Sequence, residues 1–414
     1  MGAQPRTQEE GSGEAKAAGE RVREKRPLAG GHGAPKRRGK EKLMFPLSKG
    51  RVSKQAHVGL PDGTFEEEHG REAFEGRASH LYRLHPPTAW IEIEGALKPR
   101  AYDLNGLKTS DMTEPGGDWQ RILWNEDVAL YVSRRTEAMP YFLRDADGDL
   151  CYFVHRGAGL LESDYGPLRF SQGDYLVVPK GTTHRVVPDA DECFFYVVEA
   201  NGEYRLPEKG ILGRHALFDP GVLEAPDPEP HEEEGRFEVR VKRDNAYTVL
   251  TYPFHPLDVV GWQGDLCPIR LNVKDFRPVV SPRYHLPPSV HVTFQADGFE
   301  IGTFAPRPTE TGDPEALRVP FFHSNIDKDE VLFYHQGQLF SRAGIGEAFF
   351  THHPQGLHHG PQAAAIEASK TKEFADEYAI MVEADKPFER EESLAAVEVE
   401  GYATSWARGL GLID

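Results

Sequence analysis

The chain has 414 residues, is 39% hydrophobic and carries a formal net charge of -18, from 66 Asp and Glu against 48 Lys and Arg. This balance argues against nucleic-acid binding, which needs clustered cations to neutralise phosphates. No apolar run reaches the roughly 18–20 residues of a membrane span, and no secretory apolar core opens the sequence. Cys151, Cys193 and Cys267 are widely spaced in apolar runs and read as free thiols of a reducing, cytoplasmic interior.

Residues 1–45 are polar, with Gly and Ala and almost no large apolar side chains. Such a segment buries too little surface to offset its ordering entropy, so a disordered tail is expected. Its PKRRGKEK run reads as part of that solvated tail, and Met44 is an alternative start of translation.

From Ala89 the pattern changes to short runs rich in Val, Ile, Phe and Tyr, separated by Gly, Pro, Asn and Asp: AWIEIEG, DVALYVSR, LCYFVHRG, LRFSQGDYLVVP and CFFYVVEA. That punctuation predicts strands of a sandwich or barrel. An acidic, Pro-rich stretch, VLEAPDPEPHEEEGRF, reads as a linker. A second block follows from Tyr247, with TVLTYPF, PIRLNV, SVHVTFQ, FEIGTFAP, EVLFYHQG, EAFFTHH and YAIMVEA as strands and AAAIEASKTKEFADEY as the clearest helix. LCYFVHRG and EVLFYHQG match each other, each closing on His, a polar residue and Gly. An internal duplication explains the length. The expectation is an all-β double jelly roll, the layout of a bicupin, with few short helices. Its first domain spans residues 46–230 and its second 231–414.

The second block offers metal ligands. VPFFHSNIDKDEVLFYHQG and GLHHGPQ follow the cupin metal signature, with His323 first, Glu330 as carboxylate and His359 arriving late; Asn325 stands where a second His is commonest. Two imidazoles and one carboxylate suit Fe(II) with open positions for substrate and O2, although Mn and Zn accept the same ligands. Asp329 is a rival carboxylate. His335, beside the turn, reads as a packing residue. In the first block the same spacing places Leu150 at the Glu position and Leu143 and Asp145 at the His positions. Only His184 remains there, as a hydrogen-bonded turn residue, so that barrel is expected to lack a metal site.

Several segments carry a family resemblance. GLPDGTFEEEHGREAFEGRASHLYR, YPFHPLDVVGWQG, RYHLPPSVHVTF, VPFFHSN and HHGPQ occur in the order and at spacings similar to those of homogentisate 1,2-dioxygenases. The first of these resembles that family's N-terminal active-site strap. The resemblance implies Fe(II) held by His323, Glu330 and His359, His285 as the acid–base residue, and His353 in the second sphere or at the substrate. This chain departs from the family in having four residues between Asn325 and Glu330, where the animal enzymes have three. It also has Phe321 and Leu339 where substrate-facing hydroxyls are expected. The implied reaction cleaves the ring of homogentisate with O2, giving maleylacetoacetate, as a step of tyrosine and phenylalanine catabolism. Small aromatic acid and O2 are then the partners, and the family's trimers and hexamers imply a homo-oligomer. The alternatives are a cupin dioxygenase for another hydroxylated aromatic acid, a cupin isomerase that works without O2, and a non-catalytic ligand-binding bicupin.

Overall fold

A computed structural model describes residues 47–318, 321–338, 342 and 344–414. The expected disordered tail, residues 1–45, and Leu339 lie outside the described residues. The rest is an all-β double jelly roll with a few short helices. Among the described residues no helix is long and apolar enough to cross a membrane.

The first barrel is built from a seven-stranded and a six-stranded sheet. At the centre of the seven-stranded sheet, Asp149–Arg156 pairs with Asp174–Val178 on one side and Cys193–Ala200 on the other. Its side chains alternate between two cores, as the pleat requires. Leu150, Tyr152 and Val154 fill the barrel with Leu161, Phe170 and Phe195. Cys151 and Phe153 enter a second core, which they share with Val331, Phe333 and Phe350 of the second barrel. There Tyr196 stacks on Phe333 with centroids 4.6 Å apart. Both faces of these strands are therefore buried, which is why LCYFV and VLFY read as unbroken apolar runs rather than alternations. His155 and His335, the matched histidines of the two repeats, meet in this shared core with Nδ1 atoms 3.0 Å apart. Burial pushes them down to about 3 and about 4, so both are neutral and one donates to the other.

The second barrel has a six-stranded sheet, running from Val292–Ala296 through Phe299–Phe304, Glu377–Ala384, Asp329–Gly337 and Phe349–His353 to Arg100–Asp103. Facing it, Phe65–Gly70 pairs with Ala78–Arg83 and, in parallel, with Phe322–Asn325. The sheets do not divide at residue 230. Glu234–Arg243, Ala246–Phe254 and Ile269–Asn272 join the first barrel's sheets, as does Glu389–Arg390. The early strands Phe65–Gly70 and Arg100–Asp103 join the second barrel.

Two sequence expectations need correction. AWIEIEG forms no strand: Ile91 is exposed, and Trp90 instead donates its indole N–H to Ala403 O at 2.7 Å. The helix expected over residues 363–378 ends early, at Ala363–Ser369. Phe374–Ala375 pairs with Arg307–Pro308, and Glu377–Ala384 is drawn into the sheet between two strands, so strand pairing overrides helix propensity.

Candidate metal centre

His323 lies on the short strand Phe322–Asn325 and Glu330 near the start of Asp329–Gly337. His359 comes from the turn that follows Phe349–His353. It is clamped to His323 by a reciprocal pair of backbone hydrogen bonds, each 2.9 Å. The close approach requires glycine next in the chain. Gly360 has φ +149°, and a Cβ there would sit 2.8 Å from the Phe322 Cα.

These three side chains converge, with their ligand atoms all within 4.8 Å of one another. The ring orientations follow from the outer nitrogens. His323 Nδ1–H donates to Phe321 O at 3.1 Å, and His359 Nδ1–H donates to Leu357 O at 3.3 Å. Both Nε2 lone pairs are thereby aimed inward. They lie 3.6 and 3.4 Å from Glu330 Oε2 and have no hydrogen-bond partner among the described residues. Burial alone would raise the Glu330 carboxyl, but the adjoining His359, His323 and His353 hold it well below the usual carboxylate range. Burial pushes His359 down to about 4, which keeps it neutral. Two buried lone pairs aimed at a buried carboxylate repel each other unless a cation joins them, so the residues fit a divalent metal.

The other expected residues fall around this cluster. Asp329 points elsewhere: it accepts from Gln355 N, Phe388 N and His352 Nε2, each at 2.9 Å. Asn325 accepts from Ala73 N at 3.2 Å and so holds the loop between Phe65–Gly70 and Ala78–Arg83. His353 is fully buried behind Glu330. Its Nδ1–H donates to Glu330 Oε1 at 2.8 Å, and its Nε2 accepts from the Tyr402 hydroxyl at 3.0 Å. His285 lies two ring contacts away, 6.1 Å from Phe321, which is itself 5.8 Å from His323. Its Nδ1 is bonded to Glu310 Oε1 at 2.8 Å. In the first barrel, His184 is satisfied by the Tyr152 hydroxyl at 2.9 Å and Thr182 O at 3.1 Å.

The hairpin of Phe65–Gly70 and Ala78–Arg83 closes one side of the centre. Phe74, in its loop, sets its ring against His323 at 5.0 Å. Glu67 receives His358 Nε2 at 2.9 Å and pairs with Arg83. Glu66 receives the backbone N of His57 at 3.0 Å and its Nδ1 at 2.8 Å, which holds His57 at φ +67° with its ring stacked 4.0 Å over Phe321. Burial would raise both carboxyls, but these imidazoles and Arg83 hold each down at about 2.

Sequence reasoning missed Glu66, Glu310, Glu300, Glu383 and Tyr402 around the centre. An acidic run in the hairpin was the one visible signal, for Glu66.

A family model described as homogentisate 1,2-dioxygenase N-terminal matches residues 116–273. A Saccharolobus solfataricus protein named "Putative dioxygenase SSO1533" is 34% identical over 386 residues, covering 88% of this chain and 99% of the relative. The chain belongs to the homogentisate 1,2-dioxygenase family. A homogentisate 1,2-dioxygenase of Sinorhizobium fredii is 26% identical over 284 residues, 66% of this chain and 61% of that protein. Among solved structures, a cupin 2 conserved barrel domain protein from Leptotrichia buccalis matches 72% of this chain and 99% of its own, at 10% identity and a TM-score of 0.32.

Proposed function

We propose that this protein is an Fe(II)-dependent dioxygenase that opens the ring of a hydroxylated aromatic acid, with homogentisate as substrate and maleylacetoacetate as product. The observation that carries this reading is the pair of Nε2 atoms of His323 and His359, unpartnered among the described residues and facing Glu330 Oε2. Fe(II) held by these three residues would supply open positions at which an ortho phenol oxygen, the substrate carboxylate and O2 meet.

The remaining residues bind, orient and move a proton. Glu310 accepts the Nδ1–H of His285, which leaves His285 Nε2 as the base that takes the phenol proton. Phe321, Phe74 and the stacked His57 ring form an apolar wall that keeps water from the reacting ring. His353 fixes the Glu330 carboxylate from behind. The local imidazoles and metal also give an anionic substrate a favourable place in a protein of net charge -18.

The test loads the purified protein with Fe(II), adds homogentisate and follows O2 uptake, with isotopic O2 to trace the atoms. One O2 consumed per substrate, both atoms appearing in maleylacetoacetate, is the expected result. Iron binding without uptake on homogentisate, but with uptake on another hydroxylated aromatic acid, moves the assignment to that substrate. Absence of both iron and uptake removes the enzyme reading.

A further inference from the structure

Three acidic side chains stand abreast on the inner face of the second barrel. The register sets Glu300 opposite Glu383, and Glu383 opposite Glu330 on the next strand. The strand beyond sets His353 opposite Glu330. Directly opposed residues of antiparallel strands share a face, with Cβ atoms about 4.5–5.5 Å apart. Glu330 and His353 belong to the metal centre, so Glu383 and Glu300 extend its wall along the sheet.

These two carboxyl groups are buried, with Glu383 1% and Glu300 7% exposed. Neither oxygen of Glu383, nor Oε1 of Glu300, has a hydrogen-bond partner among the described residues. Glu300 Oε2 receives Gln295 Nε2 at 3.4 Å. Lys328 acts on both carboxyls by charge, but its ammonium is tied to Asp385 at 2.6 Å. Burial and the neighbouring carboxyls push Glu300 up and Glu383 well above the usual carboxylate range, and a buried acceptor without a donor costs stability. A sequence that keeps such a row beside a ligand-binding centre departs from the rules of stability where function is expected.

A ligand that donates hydrogen bonds would remove this cost, and a site whose buried polar groups are left unpaired discriminates strongly against ligands that lack the donor. We propose that Glu383 and Glu300 form a substrate subsite beside the metal centre, which accepts hydrogen bonds from a hydroxyl or amino group on the far side of the aromatic ring. The metal and the imidazoles lie on the opposite side of this wall, so the acid group of the substrate is directed towards them. This rests on the aromatic-acid reading of the centre.

The test uses the full-length, Fe(II)-loaded protein without O2 and titrates three probes calorimetrically: 2,5-dihydroxyphenylacetate, 5-amino-2-hydroxyphenylacetate and 2-hydroxyphenylacetate. The unaltered protein is expected to bind one or both of the first two at least about tenfold more tightly than the third. Which of the two is preferred tells hydroxyl from amine. In Glu383→Leu the three affinities converge, while Glu383→Gln and Glu300→Gln keep part of the preference. Equal binding of all probes by the unaltered protein overturns the subsite, as does an equal loss for all three in Glu383→Leu. If Glu383→Leu does not fold, the probe comparison on the unaltered protein and on Glu300→Gln decides. The dioxygenase reading fails separately, as discrimination intact with no O2 uptake.

Discussion

His353 stands directly across from Glu330 on the neighbouring strand and donates Nδ1–H to its Oε1 at 2.8 Å. One carboxylate oxygen is thus held from behind while the other, Oε2, faces His323 and His359 at 3.6 and 3.4 Å. Outer-sphere partners of this kind orient a ligand without touching the metal. His353→Ala is expected to lower Fe(II) affinity about 10–100-fold with the fold retained. Competition with a chelator, alongside circular dichroism, measures both.

Glu330 and Asp329 are adjacent in sequence but do opposite work. Glu330→Gln removes the carboxylate that faces the imidazoles, and metal content should fall at least as far as in His353→Ala. Asp329→Asn leaves the cluster intact but weakens three hydrogen bonds to residues 352, 355 and 388. Hydrogen bonds to a charged group are worth about 1.5–3 kcal/mol each. Asp329→Asn is therefore expected to lower Tm by several degrees at unchanged metal stoichiometry, read by calorimetry and metal analysis.

Much of this was legible in the chain before any coordinates. Repeated apolar runs closing on His and Gly announced two β-units, and the spacing of His323, Glu330 and His359 matched a metal signature. What was hidden depends on contacts distant in sequence. Nothing local tells that Glu383 will stand between Glu300 and Glu330, because strand register is a property of the assembled sheet. Asp329 and Glu330 cannot be told apart by composition, only by which one the pleat turns inward. AWIEIEG alternates as a strand should, yet it pairs with no strand among the described residues, and Trp90 is used for docking instead.

Lys242 is buried among Asp145, Asp147 and Glu199 at 3.2, 2.9 and 2.5 Å. These three carboxylates look like a metal site by proximity, but the ammonium already occupies their centre. Lys242→Met leaves them without a counter-charge, and breaking a buried ion pair from one side costs about 3–5 kcal/mol. Denaturant unfolding should show that loss. The metal content of whatever protein folds should be unchanged, since this cluster belongs to the first barrel.

The pair His155 and His335 makes acid stability predictable. Their folded pKa values are pushed down by burial, to about 3 and about 4, against an unfolded value near 6.5. Above about pH 6.5 both states hold them neutral, and no stability is lost. As pH falls below that value, the unfolded chain takes up protons that the folded chain refuses, and stability declines towards pH 4. His335→Gln should flatten the fall of Tm with pH between about 6.5 and 4 relative to the unaltered protein. Calorimetric scans at stepped pH give the comparison.

The largest sheet of the first barrel ends in Glu389–Arg390, paired with Trp124 and Leu123. Ribosomal synthesis runs from the N-terminus, so residue 390 emerges some 265 positions after its partner, about 13–53 s later at 5–20 residues per second. Until then that sheet has an open edge at Gln120–Trp124, and Arg100–Asp103 waits for its own partner, Phe349–His353. The nascent first barrel is therefore held incomplete until residue 390 is made, exposed to the edge-to-edge pairing that finished barrels avoid. The first barrel is thus closed by a strand made after the strands of the second, so neither half of the chain holds a complete barrel of its own.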